Sequence, residues 1–82
     1  MNAEKPDRFD ERLDAKGLDC PLPLLKAKQA LNRLSGGQIL YVEATDQGSV
    51  RDFDAFARQS GNELCYSETV DGAYCFWLRK RT

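Results

Sequence analysis

Glycines follow almost every short hydrophobic run in this chain, and between them the apolar period switches back and forth between two and about 3.6 residues. Such punctuation dictates a fold of short alternating elements. A strand is expected over Arg12 to Ala15, with Leu13 and Ala15 on one face and Gly17 as its breaker. A first helix is expected from about Pro23 to Leu34, where Leu24, Ala27, Leu31 and Leu34 share one side, and Gly36-Gly37 end it. Leu40, Val42 and Ala44 alternate with Ile39, Tyr41 and Glu43 across a second strand, Gln38 to Thr45. After Asp46-Gln47-Gly48, a second helix is expected from Val50 to Ser60. Ser49 and Asp52 open it in the manner of a capping box, Val50, Phe53, Phe56 and Ala57 form its apolar face, and Gly61 stops it. The strands Glu63 to Thr69 and Ala73 to Lys80 close the chain as a hairpin around Asp71-Gly72.

Burial sets an expectation for the hairpin register. A two-residue loop pairs Val70 with Ala73 and puts Leu64 and Tyr66 on the opposite face from Tyr74, Phe76 and Leu78. A three-residue loop, with Gly72 left-handed in a bulge, pairs Thr69 with Ala73 and gathers all five on one face. The second register is therefore expected, with Cys65, Cys75 and Trp77 on the other face.

The order βαβαββ with right-handed crossovers implies an α/β (α+β) two-layer sandwich, a four-stranded mixed sheet carrying both helices on one face. The opposite face is expected to be open, with Tyr41, Cys65, Cys75 and Trp77 on it. Residues 1–11 read as a flexible N-terminal arm and residues 12–82 as one domain.

Composition excludes several functions. With 12 Lys and Arg against 13 Asp and Glu, the net charge is -1, so direct nucleic-acid binding is not expected. No apolar run approaches the ~20 residues of a membrane span, and no secretory signal is recognisable, so a soluble cytoplasmic protein is expected. Histidine is absent, which removes imidazole catalysis and most zinc sites. The three cysteines, Cys20, Cys65 and Cys75, lack close pairing, so neither a metal nor a thioredoxin-type couple is expected.

Cys20 is the principal candidate. It precedes the first helix, where unpaired N–H groups carry positive partial charge that stabilises a thiolate. Lys26 and Lys28 stand one to two turns further on and would add to that field, so the thiol is expected to be exposed and acidified. The competing reading makes Cys20 a small buried hydrophobe, and position alone does not separate the two.

The stretch Asp14-Ala15-Lys16-Gly17-Leu18-Asp19-Cys20-Pro21-Leu22-Pro23 resembles the signature of the TusA-like (SirA-like) sulfur-carrier family: a short strand, Gly-Leu, then Cys-Pro-x-Pro opening a helix. The likeness runs from Leu13 to the C-terminus and takes in Asp46, Asp52, Gly61 to Leu64, Asp71-Gly72 and the basic end Arg79-Lys80-Arg81. It implies that Cys20 is the catalytic nucleophile, accepting sulfane sulfur as a persulfide from a cysteine desulfurase or other donor protein. The sulfur then passes to an acceptor protein, for tRNA thiolation, cofactor assembly or sulfur metabolism. Gly17, Leu18, Pro21 and Pro23 would support the motif. No cofactor is implied, since the sulfur is carried covalently, and a monomer is expected. Lys26, Lys28, Trp77 and Arg79 are the candidate partner-binding residues. Family members often carry Asp-Pro where this chain has Asp46-Gln47, Ile-Pro where it has Phe53-Asp54, and His where it has Asn62.

Besides nucleic-acid binding by the basic ends, which the net charge of -1 opposes, two readings compete with the carrier. One is a non-catalytic protein-interaction module using the open sheet face around Trp77. The other is a thiol peroxidase or reductase, which wants a resolving cysteine placed to meet Cys20.

Overall fold

A computed structural model describes residues 4–82, so the first three residues of the expected flexible arm, Met1 to Ala3, lie outside the described residues. The elements are β1 (Glu11–Ala15), α1 (Leu22–Arg33), β2 (Ile39–Ala44), α2 (Gly48–Ser60), β3 (Glu63–Val70) and β4 (Ala73–Arg79). They build a two-layer α+β sandwich. Its single sheet has the order β1-β2-β4-β3, with β1 parallel to β2 and β4 antiparallel to both of its neighbours. β3 thus runs parallel to β2 with β4 inserted between them, and each helix bridges a parallel pair.

The alternating pattern of β2 sets the layers. Leu40, Val42 and Ala44 are fully buried against the helices, joined by Ala15, Ala27, Ala30, Leu31, Phe53, Phe76 and Leu78. The inward face of α1 is Pro23, Ala27, Ala30 and Leu31, small enough at three positions to bring the helix close to the sheet. On α2, Phe53 stacks on Phe76 with ring centroids 4.5 Å apart. Val50 does not share that face. It is 48% exposed, and Ser49 is buried in its stead.

The hairpin corrects the expected register. Asp71 and Gly72 both have positive φ (51° and 80°) and form a two-residue turn that pairs Val70 with Ala73. The extra residue needed to realign the faces sits instead at Cys65, where the ladder steps from Leu64↔Leu78 to Tyr66↔Trp77. Burial did demand one irregularity, but the Asp-Gly turn kept its preferred geometry and the bulge moved into β3. As a result Leu64 packs on the main core, whereas Tyr66 joins Cys65, Cys75 and Trp77 on the other face.

That other face is not open, which corrects a second expectation. Trp77 is 4% exposed, and Cys65 and Cys75 are buried. The segment before β1 lies across them. Lys5 Nζ stands 5.1 Å from the Trp77 ring centroid and forms an ion pair with Glu68 at 3.0 Å, while Phe9 stacks on Tyr41 at 5.0 Å. Asp10 secures the approach to β1: its N–H donates to Ile39 O and its carboxylate accepts from Ile39 N–H, both at 2.8 Å. No helix among the described residues is long and apolar enough to cross a membrane.

Candidate functional site

The loops after β1 and β2 leave the sheet side by side, because these strands are parallel and in register from Glu11↔Leu40 to Ala15↔Ala44. Gly17 ties them together. At φ 84° its N–H donates to Thr45 Oγ1 at 2.9 Å, a conformation that favours glycine. Leu18 then packs against the main core and Pro23 is fully buried, so the intervening Asp19-Cys20-Pro21 is held at both ends. α1 begins at Leu22, one residue earlier than expected. Pro21 is its N-cap, Leu22 N–H donates to Asp19 O at 2.8 Å, and Leu25 N–H donates to Pro21 O at 3.0 Å. The Cys20-Pro21 peptide bond is cis.

Cys20 is exposed, which decides between the two readings of its position. Its surroundings come from α2 as well as α1. A Cβ built on Gly48, the first residue of α2, would stand only 3.6 Å from Cys20 Sγ. One turn further along, Asp52 Oδ2 accepts a hydrogen bond from the Cys20 thiol at 2.7 Å. The expected capping box is therefore absent. Asp46 does that work: its carboxylate accepts from Gly48 N–H at 2.9 Å and its carbonyl from Ser49 N–H at 3.1 Å. Asp52 is free for the thiol, and Ser49 Oγ is left buried without a hydrogen-bond partner among the described residues.

The expected acidification of Cys20 is corrected by the same contact. The hydrogen bond to Asp52 holds the thiol above its ordinary value, and partial desolvation and the negative charges of Asp52 and Asp46 act in the same direction. The cation that opposes them is Arg51 on α2. The site is thus a thiol clamped by a carboxylate that disfavours its ionisation.

The other candidate residues are spread over the fold. Lys26 is exposed on α1, and Lys28 Nζ rests 5.6 Å from the Phe56 ring centroid, at the seam between the helices. Arg79 pairs with Glu63 at 2.8 Å and lies opposite Ile39, at the far end of β2 from the Cys20 loop. The Ile39↔Arg79 and Ala44↔Tyr74 rungs are five residue steps apart, roughly 16 Å along the strand. Trp77 lies mid-sheet on the opposite face, under Lys5. Cys65 and Cys75 are buried there too, and burial pushes the Cys65 thiol up.

Exposed apolar side chains missed by the sequence reading stand in the first turns of the two helices that approach Cys20. Leu22 and Leu25 in the first turn of α1 are 45% and 46% exposed, and exposed Val50 stands in the first turn of α2. Arg51 and Asp52 were also missed in their relation to Cys20. Asp52 had a place in the capping pattern and in the family likeness, but its tie to Cys20 was signalled only by the start of a helix whose loop leaves the same end of the sheet as the Cys20 loop. A cleft beside this site, lined by Gly48, Val50, Arg51, Leu64 and Phe76 among others, does not include Cys20.

Comparison with known proteins places these features in context. The profile of the family described as "Sulfurtransferase TusA" matches residues 11–80. The chain is 58% identical to the sulfur carrier protein TusA of Allochromatium vinosum over 72 residues, covering 88% of this chain and 95% of that protein. It is 42% identical to the putative sulfur carrier protein YrkI of Bacillus subtilis over 73 residues, 89% of this chain and 97% of that one. The crystal structure of a SirA-like protein from Desulfitobacterium hafniense superposes with a TM-score of 0.78, covering 89% of this chain and 100% of that one at 24% identity, which speaks for the fold.

Proposed function

Because the chain belongs to the sulfurtransferase TusA family, we propose that it is a sulfur carrier in which Cys20 accepts sulfane sulfur as a persulfide from a donor protein and hands it to an acceptor protein. The observation that carries this reading is the exposed Cys20 thiol, held on a loop pinned at both ends between the first turns of two helices.

The chemistry is an exchange between a thiol and a persulfide. Cys20 sulfur attacks the outer sulfur of the donor persulfide, and the donor thiol leaves. Sulfur keeps its oxidation state, so no redox partner, metal or organic cofactor is called for. The N-terminal ends of α1 and α2 provide positive partial charge where the persulfide anion forms. Leu22, Leu25 and Val50, exposed in the first turns of α1 and α2, give a protein donor apolar surface to rest on. This rim replaces Trp77 as the docking candidate, since Trp77 is covered. A cysteine desulfurase suits the donor role, and tRNA thiolation, cofactor assembly and sulfur metabolism are the destinations the family resemblance suggests.

Incubation with a cysteine desulfurase and cysteine is expected to add one sulfur, about 32 Da, to the intact protein. Cys20→Ser is expected to stay at its starting mass. A Cys20→Ser protein that gains the same mass overturns the assignment.

A further inference from the structure

Asp52 sits 32 residues from Cys20 in sequence, on a different helix, yet its carboxylate is the partner of the thiol at 2.7 Å. Three features of the fold place it there. Gly48 has no side chain to hold α2 away from Cys20. Asp46 caps the helix, which leaves Asp52 free of that duty. Phe53, the next residue, is fully buried against Phe76 and fixes the rotation of α2 about its axis.

We propose that Asp52 is the positioning residue of Cys20: its carboxylate holds the thiol hydrogen in the empty carrier, keeps the sulfur aimed at the start of α2, and relays that hydrogen when the sulfur attacks. The proposal rests on the sulfur-carrier reading for its last step. A thiol is a far weaker acid than a carboxylic acid, so at rest the proton stays on sulfur. As the Cys20 sulfur closes on the outer sulfur of a donor persulfide, it becomes more acidic and the proton passes through Asp52. A sulfur–sulfur bond forms at Cys20, the donor's sulfur–sulfur bond breaks, and its electron pair leaves on the donor's inner sulfur, which takes up the proton. The balance is Cys20–SH plus R–S–SH giving Cys20–S–SH plus R–SH. Once loaded, Cys20 Sγ has no hydrogen to donate. When the loaded Cys20–S–SH gives up its proton to solvent, Asp52 faces the persulfide anion as a like charge and favours release of the cargo.

Asp52→Asn keeps the shape and a hydrogen-bond acceptor but removes the charge. The measurement is the iodoacetamide alkylation rate of Cys20 against pH, read on the tryptic peptide 17–26. Asp52→Asn is expected to move the profile to lower pH and to speed alkylation at neutral pH. A tenfold gain in thiolate leaves about a threefold gain in rate, because nucleophilicity falls as acidity rises. Asp52→Glu, which restores the charge, is expected to move the profile back toward the wild type. Profiles that coincide for the wild type and folded Asp52→Asn overturn the proposal. Desulfurase loading of the wild type, run in parallel, separates the two claims. Loading with coincident profiles defeats the role of Asp52 alone, while a shifted profile without loading defeats the carrier reading and the relay step with it, and leaves Asp52 as the holder of the thiol hydrogen.

Discussion

Cys20 keeps its proton for a local reason. One carboxylate within hydrogen-bonding distance outweighs the pull of the helix ends, because the contact is direct while the dipole acts through partial charges. The sequence made Cys20, Pro21 and Pro23 legible, since each acts on its immediate neighbours. Asp52 was legible as a cap and as part of the family likeness but not as the partner of Cys20, because that partner is reached through the fold. Ser49 shows the same limit. It read as a cap residue, yet it is buried with an unpartnered hydroxyl. Ser49→Ala is therefore expected to raise the unfolding free energy by about 1 kcal/mol, measured by urea denaturation. Gly17→Ala is expected to lower it by about 1 to 2 kcal/mol, because alanine resists the positive φ that aims Gly17 N–H at Thr45.

Elements form where local preference and burial agree, and shift where they conflict. The helices and β2 follow the sequence pattern closely, because their period is repeated over several turns or rungs. In the hairpin the two demands disagreed. Asp71-Gly72 took the tight turn their backbone prefers, and the mismatch was absorbed at Cys65, deeper in β3. Bulges leave little trace in sequence, which is why their position was not legible. The covering of Trp77 was equally hidden, because Lys5, Pro6 and Phe9 lack a periodic signal. Trp77 is the single tryptophan of the chain and reports on that cover directly. Removal of residues 1–9 is expected to shift its fluorescence to longer wavelength and to increase quenching by acrylamide. Unchanged emission and quenching would contradict the placement of Lys5 over the ring.

For the whole molecule, the strand register puts the Cys20 loop and the start of α2 at one end of the sheet and Arg79 at the other. The charges that stitch the outer face meet at Glu43 on β2. It is half-buried, bonded by Arg12, and also receives Lys16 at 3.3 Å and Tyr41 at 3.1 Å. Burial alone would raise its pKa, but the bonds from Arg12, Tyr41 and Lys16 prevail and hold it below the ordinary 4.5. A carboxyl depressed on folding adds stability that is present above its unfolded value and lost as pH falls through its folded one. Glu43→Gln is thus expected to be less stable than the wild type at neutral pH, with the gap closing below about pH 4. A gap that stays constant down to pH 2 contradicts this account.

The most direct test of the carrier role maps the cargo to one residue. Trypsin places Cys20 alone in peptide 17–26 and both buried cysteines in peptide 59–79. After loading by a desulfurase and alkylation of the persulfide, the extra sulfur is expected on peptide 17–26 and absent from peptide 59–79. Sulfur found on 59–79, or on neither, would contradict the assignment of Cys20 as its bearer.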